Sequence, residues 1–443
     1  MGTVVQMTTH RDRRSRRPIT AAATTVLLGV LLAGCGSATA GAGADTSGRV
    51  PTAGGRPTQA AVQDPDAPTG WGPTEGELAR AEHLVSGMSV AQQAASVLMP
   101  GFWGFSATAP SAAEAAANQE MHGSRTAVEA VQEHGYGALF LRPEVISDAD
   151  QVAELVGPLQ DAAEQADGLP ALISIDQEGG TVQRLAVGVD TVPSAAWVGS
   201  TGDPSYARQV ALDNGRSLVA LGITMVMAPV ADVDPDGLSA MGSRTYSGDP
   251  AVASRMVTAT VDGYLDAGII PVVKHFPGLG SVVGDSHVSL PVQHKSLAQL
   301  QETDLRPFVA AIRAGAPVVM TGHVAVQALD PGVPGSLSPE VVQGLLRDEL
   351  GFEGVAVTDS QGMGPVNEPY GSGEGAVLSL LAGNDLVLNS PEPLQALAAV
   401  ERAVADGRLP AGRLAEAATR VLALRIYEQR LAAAKGPAVR PGG

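Results

Sequence analysis

The sequence predicts an α/β fold, a single (β/α)8 barrel. Three observations point to it: eight strand-length apolar runs, amphipathic stretches between them, and polar residues collected where the runs end. The runs cover 96–102, 137–141, 171–176, 223–230, 269–275, 316–323, 354–359 and 384–388. Most place Val, Ile or Leu on consecutive positions, the pattern of a strand buried on both faces in a parallel sheet. The stretches 148–165, 205–221 and 249–267 between them repeat apolar residues at helical spacing. A doubly wound open sheet is the alternative reading of the same alternation.

In chain order, residues 1–34 read as an address. An Arg-rich start ending at Arg17 leads into the apolar run 19–33 and then into Leu32-Ala33-Gly34-Cys35. A basic region, a short apolar region and small residues at a cut describe a secretory signal. The run is shorter than the ~20 residues a membrane-spanning helix needs. Leu-Ala-Gly-Cys is similar to the lipobox of bacterial lipoproteins, which implies cleavage before Cys35 and a lipid on its thiol. Arg16-Arg17 leaves open whether export is general or twin-arginine. Cys35 is the single cysteine, so the chain has no internal disulfide and its fold rests on packing. Residues 35–73 carry almost no large apolar side chains and read as a flexible tether. The barrel is expected over 74–431. It opens with a helix at 75–86, where Leu78, Ala81 and Leu84 form an apolar stripe, and closes with a helical stretch at 393–431. Residues 432–443 are expected as a disordered tail.

Hydrophobic residues make up 44% of the 443, but aromatics only 3%, so the core must be built mostly from Ala, Val, Leu and Ile. The 46 acidic residues outnumber 28 basic ones, for a formal net charge of −18. That balance argues against nucleic acid as a partner, because phosphate binding needs clustered Lys and Arg. His and Asp spacings match no compact metal-ligand motif, and no cofactor is expected.

Polar residues mark one end of the runs. Asp176 ends the run 171–176, Asp232 follows 223–230, Lys274 and His275 end 269–275, His323 ends 316–323 and Asp359 ends 354–359. In a barrel, all five run ends lie at the strand C-terminal ends, where barrel enzymes keep their chemistry. Alone, each reads as a strand end meeting water, and Asp359 as a helix N-cap.

At these residues the chain resembles family 3 glycoside hydrolases, and within them the NagZ-type β-N-acetylglucosaminidases. Ile175-Asp176-Gln177-Glu178-Gly179-Gly180-Thr181-Val182-Gln183-Arg184 is similar to that family's D-Q-E-G-G-x-V-x-R segment. Lys274-His275-Phe276-Pro277-Gly278 followed by Asp285-Ser286-His287 is similar to its K-H-F-P-G and D-S-H segments. Gly351-Phe352-Glu353-Gly354 leading to Thr358-Asp359 is similar to G-F-x-G-x-x-x-[ST]-D, and Arg244 matches the Arg of a G-x-R-S-F-like segment. The resemblance spans roughly 85–425 in the correct order.

The resemblance implies Asp359 as nucleophile, and His287 paired with Asp285 as acid/base. It implies Asp176, Arg184, Arg244, Lys274 and His275 as sugar-binding residues. The chemistry is coherent. A retaining glycosidase needs a nucleophile and a proton donor on opposite sides of the glycosidic bond. An imidazole oriented by a carboxylate can give and take a proton near neutral pH. Glu178, just before Gly179-Gly180, reads as a supporting residue at a tight turn. His323 and Asp232 read as pocket lining. Leu279 stands where many relatives carry His.

The expected reaction is retaining hydrolysis of terminal N-acetylglucosamine from peptidoglycan fragments. The expected setting is a monomer anchored by lipid to the outer face of a bacterial cell membrane. Alternatives stay open: a glycoside phosphorylase, since a His acid/base tolerates incoming phosphate; a family 3 β-glucosidase or xylosidase; and a non-catalytic glycan-binding lipoprotein. The leaving sugar is not specified by the sequence.

Overall fold

The computed structural model describes residues 64–435. The expected signal segment, Cys35 and most of the tether lie outside the described residues. All eight apolar runs contain a strand: β1 (Leu98–Met99), β2 (Ala138–Phe140), β3 (Leu172–Ile175), β4 (Met225–Val226), β5 (Ile270–Phe276), β6 (Val318–Thr321), β7 (Val355–Thr358) and β8 (Val387–Leu388). Every residue of these strands is buried. Burial on both faces is why the runs carry consecutive apolar residues rather than alternating ones.

Strands β2 to β7 pair in parallel, in chain order, as one six-stranded sheet curled into a half-barrel. Strands β1 and β8 pair in parallel with each other. Single parallel bridges, Gly101 to Phe140 and Val357 to Leu386, join that pair to β2 and to β7. All strand C-terminal ends therefore point the same way, and that shared end holds the site.

The helices start where the sequence supplies caps. Thr74 and Glu77 form a reciprocal capping box on Glu75–Ser86. Asp148 and Asp249 cap Ala149–Asp167 and Pro250–Ala267 with their carboxylates. Helices Pro204–Val219 and Pro250–Ala267 pack closely through two glycines. A Cβ on Gly263 would lie 2.3 Å from the Arg208 carbonyl oxygen, and one on Gly215 would lie 2.6 Å from Ala267 Cβ. The core is mostly Ala, Val, Leu and Ile, with few aromatic contacts such as Phe276 edge-on to Phe308 at 5.4 Å.

Three boundaries differ from the sequence reading. The stretch 393–431 is two helices, Pro393–Ala405 and Ala411–Lys435, because Gly407, at φ 73°, turns the chain out of the first. The second helix runs four residues into the expected tail. The last part of the expected tether is folded: Trp71 is buried, and Arg430 Nη2 donates to the Gly72 carbonyl at 2.9 Å. A buried ring and several hydrogen bonds, among them Glu75 N–H to the Ala67 carbonyl at 2.8 Å, order a stretch whose composition reads as unstructured.

Candidate active site

The D-Q-E-G-G segment follows β3 as a small hairpin, Gln177–Gly179 paired antiparallel with Val182–Gln183. Gly179 turns it at φ 95°, and a Cβ there would come within 2.5 Å of the Pro193 carbonyl oxygen. Only glycine meets both demands. The hairpin brings Glu178 back under Asp176 and toward β5.

Strand β5 carries Lys274 and His275 just before its last residue, Phe276. The buried Lys274 ammonium bridges two carboxylates, Asp176 Oδ1 at 2.8 Å and Glu178 Oε1 at 2.7 Å. Arg244, on the short helical turn Gly242–Arg244, donates Nε to Glu178 Oε2 and Nη2 to Glu178 Oε1, both at 2.8 Å. Glu178 is thus locked between two cations. Burial by itself would raise its carboxyl, but Lys274 and Arg244 outweigh that and hold it at about 2. Burial likewise works against the Lys274 charge, and Asp176 and Glu178 reverse it, so Lys274 stays above the ordinary lysine value.

His275 Nδ1 is 2.8 Å from Asp232 Oδ2. The other Asp232 oxygen accepts the Leu279 N–H at 2.6 Å. Fully buried Asp232 therefore orients the ring and ties down the segment after β5. Its role was not legible in the sequence beyond a polar residue at a strand end, because its partners are 43 and 47 residues away. Leu279 packs with Met241, Val282 and Val324 in a small apolar cluster, which accounts for an apolar residue at that position.

Asp359 follows β7, its N–H held by the Thr321 carbonyl at 2.9 Å. Its Oδ1 accepts the Ser360 N–H at 2.8 Å. Burial alone would raise its carboxyl; His275, His323, the Ser360 N–H and Lys274 prevail and keep it below the usual carboxylate range. An ionised carboxylate at neutral pH is what a nucleophile at this position requires. His323 is fixed at both ring nitrogens, by Ser336 Oγ at 2.7 Å and the Ser360 carbonyl at 2.9 Å. Burial pushes its pKa down.

Asp285 and His287 lie on the exposed loop after β5. His287 Nδ1 is 2.7 Å from Asp285 Oδ1, which also accepts the His287 N–H at 2.9 Å. These bonds, the backbone one foremost, lower the Asp285 pKa. The His287 carbonyl accepts the Gly364 N–H at 3.3 Å, so the loop touches the chain just past Asp359. Arg184 lies next to Asp176 through its backbone, its N–H 3.4 Å from the Asp176 carbonyl. Its exposed side chain makes no hydrogen bond or ion pair among the described residues.

A parallel α/β half-barrel with ionised carboxylates, fixed cations and a loop-borne His–Asp pair at one end can supply the acid/base and nucleophilic groups an enzyme needs for a polar substrate. The chain belongs to glycoside hydrolase family 3: residues 104–424 match the Glycosyl hydrolase family 3 N terminal domain, and it is a glycoside hydrolase. It is 35% identical over 267 residues to a beta-hexosaminidase of Xylella fastidiosa, covering 59% of this chain and 78% of that one. Among solved structures it is similar to a family 3 beta-N-acetylglucosaminidase from Paenibacillus sp., at TM-score 0.71 and 36% identity over 77% of this chain. This chain spans 63% of that structure's length. A family 3 glycosyl hydrolase from Mycobacterium smegmatis aligns at TM-score 0.66 and 32% identity, over 77% of this chain and 98% of the other.

Proposed function

We propose that this chain is a retaining β-N-acetylhexosaminidase that removes terminal N-acetylglucosamine from peptidoglycan fragments. The observation that carries the mechanism is the Asp285–His287 pair, bonded at 2.7 Å on the loop that meets the chain beyond Asp359. Asp285 occupies His287 Nδ1, which leaves Nε2 to carry the mobile proton. In the first step His287 gives that proton to the glycosidic oxygen while the Asp359 carboxylate attacks C1 and the leaving sugar departs. In the second, His287 takes a proton from water, the hydroxide attacks C1, and Asp359 is released as carboxylate. Asp176, Lys274, His275, Arg244 and Arg184 supply donors and acceptors for the sugar hydroxyls and the acetamido group. The names of the relatives support the hexosamine.

The eight-stranded closed barrel is part of this reading, supported by the two bridges that join β1 and β8 to the half-barrel. So is export with a lipid on Cys35, leaving a monomeric enzyme on the outer face of the cell membrane. Peptidoglycan is the N-acetylglucosamine-containing polymer within reach there.

The test is turnover by the purified full-length protein of 4-nitrophenyl N-acetyl-β-glucosaminide beside the matching glucoside, with and without phosphate. The expected result is phosphate-independent release from the first substrate only. Asp359→Asn is expected to lower kcat by ~10⁴-fold and His287→Ala by ~10²-fold or more. Preference for the glucoside would overturn the sugar assignment, and acceleration by phosphate would make the enzyme a phosphorylase.

A further inference from the structure

Two side chains that take no part in the mechanism above converge on the residue after Asp359. Ser360 lies just past β7, between the ends of β6 and β8. Its carbonyl accepts from His323 Nε2 at 2.9 Å, on the β6 side. Its Oγ accepts from Asn389 Nδ2 at 3.0 Å, on the β8 side. The backbone around it is pinned as well: the Asp359 N–H donates to the Thr321 carbonyl and the Gln361 N–H to the Leu388 carbonyl, both at 2.9 Å. Held in this way, Ser360 donates its N–H to Asp359 Oδ1 at 2.8 Å, while Asp359 Oδ2 has no hydrogen-bond partner among the described residues.

Asn389 makes its bond from a strained backbone. It holds φ 49°, the one non-glycine residue in the left-handed region among the described residues. Glycine would take that conformation freely, so an asparagine there points to a use for the amide. The Asn389 N–H donates to the Met99 carbonyl at 2.8 Å. Gly101 leaves room for the side chain, since a Cβ there would come within 3.2 Å of Asn389 Oδ1. The ends of β1 and β8 thus hold one amide against Ser360.

The consequence falls on the geometry of Asp359. The last torsion of an aspartate is soft, and a carboxylate that turns freely aims neither oxygen at C1. A hydrogen bond to Oδ1 favours the charged form and so lowers its basicity; what it contributes here is orientation. It fixes the carboxylate plane and leaves Oδ2 for the attack, where a small misplacement is costly. We infer that Asn389 is a positioning residue for the reaction, acting through Ser360 to set the plane of the Asp359 carboxylate. This rests on the reading of Asp359 as nucleophile and adds what aims it.

The experiment uses the full-length protein and whichever of the two 4-nitrophenyl glycosides it turns over. Asn389→Gly removes the amide and supplies a residue that takes φ 49° without strain. It is expected to lower kcat by about 10-fold or more, with KM and inhibition by the matching free sugar unchanged within about twofold. Placed on Ser360→Ala, the same change is expected to alter kcat by less than about twofold, because the route is already cut. An unchanged kcat in Asn389→Gly overturns the inference, and so does a full loss that persists on Ser360→Ala. A loss of kcat with an equal weakening of inhibition by the free sugar shows a general disturbance of the site and overturns it as well. Asp359→Asn, assayed beside them, separates the two readings. Turnover at the unaltered rate in that variant removes the nucleophile and the inference with it, whereas loss there without loss in Asn389→Gly overturns the inference alone.

Discussion

Glu178 shows how a buried carboxylate can be kept charged by its neighbours. It is almost fully buried, yet it stays ionised because Lys274 and Arg244 face it from two other elements. Removing one member of such a group leaves the others buried and uncompensated, which is the costly direction. Its ionisation also makes stability depend on pH. The folded-state carboxyl sits at about 2, below the ordinary 4.5, so the folded protein holds this proton less tightly than the unfolded chain. The resulting stabilisation is complete above pH ~4.5 and is lost as pH falls toward 2, roughly 3 kcal/mol in all. Urea unfolding midpoints measured from pH 7 to pH 2.5 are expected to show this loss. Glu178→Gln is expected to be less stable at pH 7 and to lose that component of the acid response. An unaltered response in the variant would assign the acid loss to other carboxylates.

At the scale of elements, the loop after β5 is exposed in the middle, where the His287 carbonyl accepts the Gly364 N–H, and anchored at both stems. Buried Asp304 accepts from Ser281 Oγ on the outgoing stem and from Lys295 Nζ, at 2.5 Å, on the returning one. Gln293 Nε2 donates to Ser281 Oγ at 2.8 Å, and Val292–Gln293 pairs in parallel with Ala325–Val326. Gly280 lies against Val233, where a Cβ would come within 2.4 Å of the carbonyl oxygen. Between these clamps, Val283 and Val288 stand 85% and 76% exposed on either side of Asp285 and His287, with nothing covering them. The proposed acid/base pair thus rides on a short span whose end points are fixed. Asp304→Asn removes the charge that holds both stems and is expected to lower kcat/KM by 10-fold or more, up to ~10². Inhibition by free N-acetylglucosamine, which on the proposed reading needs no contact with the loop, is expected to stay within about twofold. Equal losses in both measurements would show that Asp304 supports the whole site rather than the loop.

Across the whole molecule, one carboxylate ties the last strand to the helices around it. Asp385, fully buried just before β8, accepts from Arg347 Nη2 at 2.5 Å, Arg413 Nη2 at 2.9 Å and the Ala356 N–H at 3.0 Å, with Arg420 Nη1 at 3.3 Å. Those arginines come from Glu340–Glu349 and from Ala411–Lys435, so four segments meet at one charge. Burial opposes its ionisation, but Arg347, Arg413 and Arg420 keep its pKa low. Asp385→Ala leaves three guanidinia without their shared partner and is expected to cost about 3–5 kcal/mol, read as a lower urea midpoint with an unchanged slope. A loss under about 1 kcal/mol would show that packing alone holds β8 in place.

What the sequence determined by itself is what local chemistry and periodicity encode. Consecutive apolar residues placed all eight strands, because burial on both faces leaves no room for alternation. Asp148, Asp249 and Thr74 stand where the helical stretches begin, and each caps the helix that follows, because caps act within three residues. The motifs around Asp176, Lys274, Asp285 and Asp359 were legible as motifs. Only the tertiary structure decided their partners. Glu178 with Lys274, His275 with Asp232, and Asn389 with Ser360 each join residues from different strand ends, and such pairings arise only once parallel strands align their C-terminal ends. Trp71 teaches the same in reverse: the composition of residues 35–73 gives no sign that its last part folds, because one buried ring is invisible to an average. Side-chain contacts across a sheet are set by register, and register is a property of the assembled fold.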